Sequence, residues 1–162
     1  MSELQNNPQF LKDLELGLKS EDSSMPFLSS IFGELWNTGT DLGDKYNKYD
    51  FRSKTKPIKV ELKTRRCDFG DYPDLQFEMG KIKDGIKFCK NNVGGRCFFV
   101  WRCIGKNGNK WGEESYHYWE LKDGEWFKGM GGRFDRGKDE WKLLCKIKNE
   151  YIKPLFSHKP LL

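Results

Sequence analysis

Residues 49–66 read YDFRSKTKPIKVELKTRR, and the arrangement of the rest of the chain follows from them. From Ile58 onward, Ile58, Val60 and Leu62 alternate with Lys59, Glu61 and Lys63, the period of two that marks a strand with one buried face. Glu61 and Lys63 therefore project from the same side. Pro57 suits the first residue of a strand, and Lys54-Thr55-Lys56 makes the turn that returns the chain beside Tyr49-Asp50-Phe51. Pairing of the two segments as a hairpin brings Asp50, eleven positions before Glu61, close to it. Two carboxylates converging on one point repel unless a cation lies between them, and an oxygen-rich cluster of this kind suits Mg²⁺ or Mn²⁺.

A cation held by two carboxylates binds a phosphate oxygen and acidifies a coordinated water, while a neighbouring ammonium orients that water and offsets developing charge. Hydrolysis of a phosphodiester is the reaction this suits. Here Asp50 and the triplet Glu61-Leu62-Lys63 resemble the motif of the restriction-endonuclease-like, or PD-(D/E)xK, nuclease superfamily, with Tyr49 standing where the motif's name has proline. The triplet alone is weak evidence, since Glu120-Leu121-Lys122 repeats it. The second copy has no aspartate on its own strand upstream and abuts a hairpin turn, so spacing and context carry the resemblance.

The resemblance implies a single α/β domain over residues 1–162, a mixed central sheet flanked by helices, with loose termini at 1–9 and 157–162. It implies a Mg²⁺- or Mn²⁺-dependent deoxyribonuclease. Asp50, Glu61 and the Leu62 carbonyl would bind the metal, Lys63 would position the attacking water, and Glu21, on the opening helix, would assist at the metal. Glu34 is the rival for that last role. Lys45, Arg65, Arg66, Arg133, Arg136 and Lys138 would hold the nucleic-acid backbone. The pattern does not separate DNA from RNA, and a homodimer is compatible with the resemblance although no interface is legible. Two other classes compete: a catalytically silent binding module of the same fold, and a β-rich protein whose Asp50 and Glu61 sit in ordinary ion pairs with Lys59 or Lys63.

The bulk properties set wider bounds. A chain of 162 residues is the size of one domain and long enough to bury a core. With 36% hydrophobic and 15% aromatic residues it is expected to fold as a globule, and no apolar run approaches the roughly 20 residues a membrane helix needs. The polar start MSELQNNPQF carries no secretory pattern, so an intracellular location, cytoplasmic or nuclear, is expected. The many Lys, Asn and Ile residues suit a low-GC genome such as a virus's. Five cysteines without C-x-x-C spacing fit neither a zinc site nor a disulfide framework. A net charge of +5 permits a polyanionic partner without demanding one.

Helical spacing predicts a first helix through Phe10, Leu11, Leu14 and Leu18, and a second set from Met25 to Trp36 as a second helix or a kinked continuation. Residues 37–47 read as a loop. Leu75, Phe77 and Met79 mark a third strand, with Gln76 or Glu78 bordering the metal site if that strand neighbours residues 58–66; residues 81–92 form a crossover helix. Residues 97–101 (CFFVW) are a buried central strand. Residues 116–121 and 125–127 read as a hairpin around Asp123-Gly124, its aromatics filling a sheet face or stacking on bases. Residues 129–138 are too glycine-rich to pack a core, and residues 140–155 fit strand or helix equally. His117 has no visible nucleophile or orienting partner to make it a general base.

Overall fold

The computed structural model describes residues 7–43, 49–105, 114–121, 125–133, 140–157 and 159–162. It is a mixed α/β structure of two helices and nine strands among these residues. The strands are β1 (Leu35–Asn37), β2 (Phe51–Ser53), β3 (Ile58–Arg65), β4 (Asp74–Glu78), β5 (Arg96–Cys103), β6 (Ser115–Glu120), β7 (Phe127–Arg133), β8 (Glu140–Lys148) and β9 (Lys153–Leu155). Helix α1 spans Pro8–Phe32 and α2 spans Met79–Asn91. A six-stranded sheet runs β1-β2-β3-β5-β6-β9 and a three-stranded sheet runs β4-β8-β7.

β3 and β5 pair in parallel over eight positions, from Ile58 beside Arg96 to Arg65 beside Cys103. Parallel neighbours need a crossover, supplied here by β4 and α2. One face of the large sheet carries Ile58, Val60, Leu62, Phe98 and Val100 against Leu28, Ile31 and Phe32 of α1. The other carries Cys97, Phe99, Trp101 and Trp119 against Met79 and Ile82 of α2 and Leu75, Phe77, Cys145 and Ile147 of the small sheet. β5 is buried on both faces, which explains its unbroken apolar run.

Several expectations need correction. Leu35 and Trp36 belong to β1, because Gly33, at φ 80°, ends the single helix α1 in a conformation that favours glycine. The Asn7 side chain caps α1 through the N–H groups of Gln9 and Phe10, and Leu161 donates its N–H to the Ile31 carbonyl. The third strand pairs with β8 rather than with β3. β6 and β7 lie in different sheets and form no hairpin with each other, while Asp123-Gly124 falls outside the described residues. Residues 127–133 are a strand: glycine at 131 leaves space for Leu144, whose Cδ1 would stand 2.2 Å from a Cβ there. Residues 140–155 resolve into β8, a 3-10 turn at Asn149–Tyr151 and β9. Of the two readings of the aromatics, the sheet-face one describes Tyr116, Tyr118 and Trp119, which pack into the two cores as expected.

Phe98 is fully buried between the sheet and α1, its ring 4.8 Å from that of Phe32. Phe98→Ala is expected to destabilise the fold by about 3–5 kcal/mol in urea unfolding; a loss under about 1 kcal/mol would mean that α1 does not close this face.

Candidate active site

β2 is short, and it starts at Phe51, immediately after Asp50. The register sets Phe51 beside Val60, so continuing it sets Asp50 beside Glu61. Asp50 then takes over the ladder with its side chain: Oδ2 accepts the Leu62 N–H at 2.8 Å. Its backbone is tied down by Thr38, whose N–H donates to the Asp50 carbonyl at 2.9 Å and whose hydroxyl donates to the Tyr49 carbonyl. Asn37, buried beside it, donates Nδ2–H to Glu21 Oε2 at 3.4 Å. The two arms of the sequence motif and the α1 acid therefore meet.

Electrostatics follow from this crowding. Burial, then the charge of Asp50 and a hydrogen bond to it, push the Glu21 carboxyl from its ordinary 4.5 up to about 8, so Glu21 holds a proton toward Asp50. Burial also raises Asp50, against the Leu62 N–H, Glu21, Lys81 and Lys63, which hold it down. Glu61 is 5% exposed, and burial, with Asp50 beside it, drives its pKa well up. Its Oε1 meets Lys81 Nζ at 2.9 Å, while its buried Oε2 has no hydrogen-bond partner among the described residues. Lys63 faces the opposite pressure: burial and the adjacent Arg65 lower its pKa, and Glu78 and Glu61 pull it back up. For Lys81, Glu61 outweighs burial and the pKa rises.

A cavity of about 260 Å³ opens between α1 and the edge of β3, lined by Glu21, Leu62, Lys63, Arg65 and Arg66 together with Asp13, Gly17 and Ser20 of α1. Asp50 touches two of the lining residues, Glu21 and Leu62. Ser20 joins the hydroxyl of Thr64 across this seam, and the Arg102 guanidinium holds Ser20 at 3.0 Å and Ser23 at 2.9 Å, fixing α1 against the strands.

Among the sequence-predicted residues, Asp50, Glu61, Lys63 and Glu21 come together; Glu21, Lys63, Arg65 and Arg66 line the cavity, whereas Asp50 and Glu61 sit behind its wall. Glu34 does not; it is exposed, with Lys54 at 4.0 Å. Arg133 ends β7, and Lys45, Arg136 and Lys138 lie outside the described residues. The acid of the repeated triplet, Glu120, is paired with Arg96 at 2.6 Å. His117 stacks on Phe69 at 4.0 Å and contacts Ser115 through Nε2. Sequence reasoning missed Lys81. Its one signal is a cation in the first turn of a helix, where the dipole disfavours it unless an acid is near. Lys59 instead covers the rings of Tyr49 and Phe88.

Buried carboxylate oxygens with one left unbonded fit the donor chemistry of a hard divalent cation. Among the described residues, however, no three His, Cys, Asp or Glu side chains already stand at metal-holding spacing; Asp50 is turned to the Leu62 N–H and Glu61 to Lys81. Also among those residues, no helix is long and apolar enough to cross a membrane. All five cysteines are free. Comparison with protein-family models, curated proteins and solved structures gave no match.

A pH dependence follows. Glu21 has a folded pKa of about 8 against an ordinary 4.5, so the folded chain keeps a proton that the unfolded chain releases in that interval. Its contribution to stability therefore falls as pH rises through that window. With divalent ions chelated, the wild-type melting temperature should drop across this range more steeply than that of Glu21→Gln, which should be the more stable at the alkaline end. Parallel slopes would contradict the shared proton.

Proposed function

We propose that this chain is a divalent-cation-dependent endonuclease that hydrolyses DNA phosphodiester bonds, a member of the restriction-endonuclease-like group. The observation that supports this most is the register of β2 and β3, which sets Asp50 beside Glu61, with Asp50 bonded to Leu62 and Glu21, two residues that line a cavity together with Lys63. Asp50, Glu61 through its unbonded Oε2, and the Leu62 carbonyl would hold Mg²⁺ or Mn²⁺, with Glu21 beside them. Such a cation, when bound, polarises a phosphate oxygen and lowers the pKa of its water.

The remaining work belongs to the chain. Lys63, whose pKa burial lowers, would position the attacking water and offset developing charge. Lys81 keeps Glu61 Oε1 fixed, leaving the second oxygen for the cation. Glu21, whose carboxyl burial and Asp50 raise to about 8, would give up its proton more readily with a cation held at Asp50, the linkage expected where ligands must be deprotonated. Arg65 and Arg66 line the cavity as phosphate contacts, and Lys45, Arg133, Arg136 and Lys138 are assigned the same work from the sequence.

The competing reading is a silent nucleic-acid-binding module. One observation favours it: an ammonium already sits on Glu61 where a metal would compensate the charge.

Incubation of the purified protein with plasmid DNA and Mg²⁺ or Mn²⁺ separates the two. Cleavage is expected, reduced at least about a hundredfold in Asp50→Asn, Glu61→Gln and Lys63→Met. Binding without cleavage, or equal cleavage by wild type and variants, would remove the nuclease assignment.

A further inference from the structure

A second and larger cavity, of about 460 Å³, lies at the far end of β3 and is lined by Arg65, Cys67, Tyr72, Pro73, Asp74, Leu75, Gln76 and Lys146. That volume is in the range of small-ligand sites. Arg65 lines this cavity and the active-site cavity alike, so the two share a wall.

Its walls are built from stiff parts. The turn carrying Tyr72 is closed by Asp71, whose carboxylate accepts the Asp68 N–H at 2.9 Å and whose N–H donates to the Asp68 carbonyl at 3.1 Å. Asn149 of the 3-10 turn then clamps it from the other side, its side-chain amide donating to the Tyr72 carbonyl and its N–H to the Pro73 carbonyl at 3.2 Å. The Tyr72 residue is nevertheless 58% exposed, and among the described residues no other ring is stacked on it. An aromatic face held on a fixed backbone and left open is what base stacking requires. Arg65 is oriented by its bond to the Gln76 carbonyl at 3.4 Å. Lys146 lies over Gly129, where a Cβ would stand 2.7 Å from its Cε, so the glycine makes room for the second cation. Asp74 and Gln76 add a carboxylate and an amide, the groups that read the donors and acceptors of a base edge.

We infer that this cavity is a subsite for one unpaired nucleotide of the strand presented to the active site. Tyr72 stacks on the base, Arg65 and Lys146 take the adjoining phosphate, and Asp74 with Gln76 meets the base edge. The assignment of the strand rests on the nuclease reading; the nucleotide chemistry of the pocket does not. The shared Arg65 sets the direction, with the chain of nucleotides passing from one cavity to the other.

The test is fluorescence anisotropy in EDTA, so that metal binding and cleavage play no part. The probes are a labelled single-stranded DNA tetramer and an abasic tetramer of equal charge. The base-bearing tetramer should bind several-fold more tightly than the abasic one. Tyr72→Ala should erase that difference, a loss on the order of tenfold for one stacked base, while Tyr72→Phe should retain it. Lys146→Ala should weaken both tetramers alike. Equal affinity for the two tetramers in wild type, or a Tyr72→Ala protein that melts normally and still prefers the base-bearing one, overturns the pocket. Competition by a free nucleoside monophosphate as strong as by the tetramer overturns the strand assignment. A protein that shows the base preference but cleaves nothing refutes the nuclease reading and leaves the pocket standing; one that cleaves without the preference does the reverse.

Discussion

A carboxylate on a strand covered on both faces has to be answered by opposite charge, protons or hydrogen bonds, because burial of an isolated charge costs many kcal/mol. Glu61 is that carboxylate. One oxygen meets Lys81 and the other has no hydrogen-bond partner among the described residues, and Asp50 stands alongside, so the local arrangement leaves the acids undercompensated. The Glu21 proton and the raised pKa values of Asp50 and Glu61 express the same imbalance. A structural ion pair serving only stability is more economically built from apolar residues of similar volume. Retaining several acids at this seam makes sense for a site that receives positive charge.

The architecture explains how the acids reach one another. The parallel β3–β5 ladder draws α2 across one face of the sheet and brings Lys81 over Glu61. β2 begins at Phe51, opposite Val60, and so falls short of the Leu62 N–H; that vacancy in the ladder is what the Asp50 side chain fills. α1 crosses the same edge with its polar half, pinned by Arg102 and Thr64, which delivers Glu21. Each contributor comes from a different element, and the shortness of β2 is what leaves the edge open to them.

Much of this was legible in the sequence because it depends on short-range rules. Alternation from Ile58 to Lys63 fixed which side chains share a face, and Pro57 with the preceding turn residues fixed the return toward Asp50. The run CFFVW declared a strand buried on both faces. What was not legible was partnership over distance. Alternation tells which face of β4 is apolar and nothing of whether its neighbour is β3 or β8, and the Asp-Gly pair suggested a hairpin that the two-sheet arrangement does not use. The glycines of β7 read as a coil because glycine lacks a side chain to pack; their use is to admit Leu144 and Lys146 from the neighbouring strand. Lys81 was invisible for the same reason, since its partner lies across the helix–sheet interface and not along the chain.

The central claim is that the undercompensated oxygen of Glu61 and the side chain of Asp50 are parts of one cation site. Crystals of the protein soaked in Mn²⁺ and measured at the manganese absorption edge address it directly. An anomalous peak within coordination distance of both carboxylates, diminished in Glu61→Gln, is the expected result. Well-ordered side chains at this seam with no peak beside them, Lys81 still seated on Glu61 in saturating Mn²⁺, would contradict it.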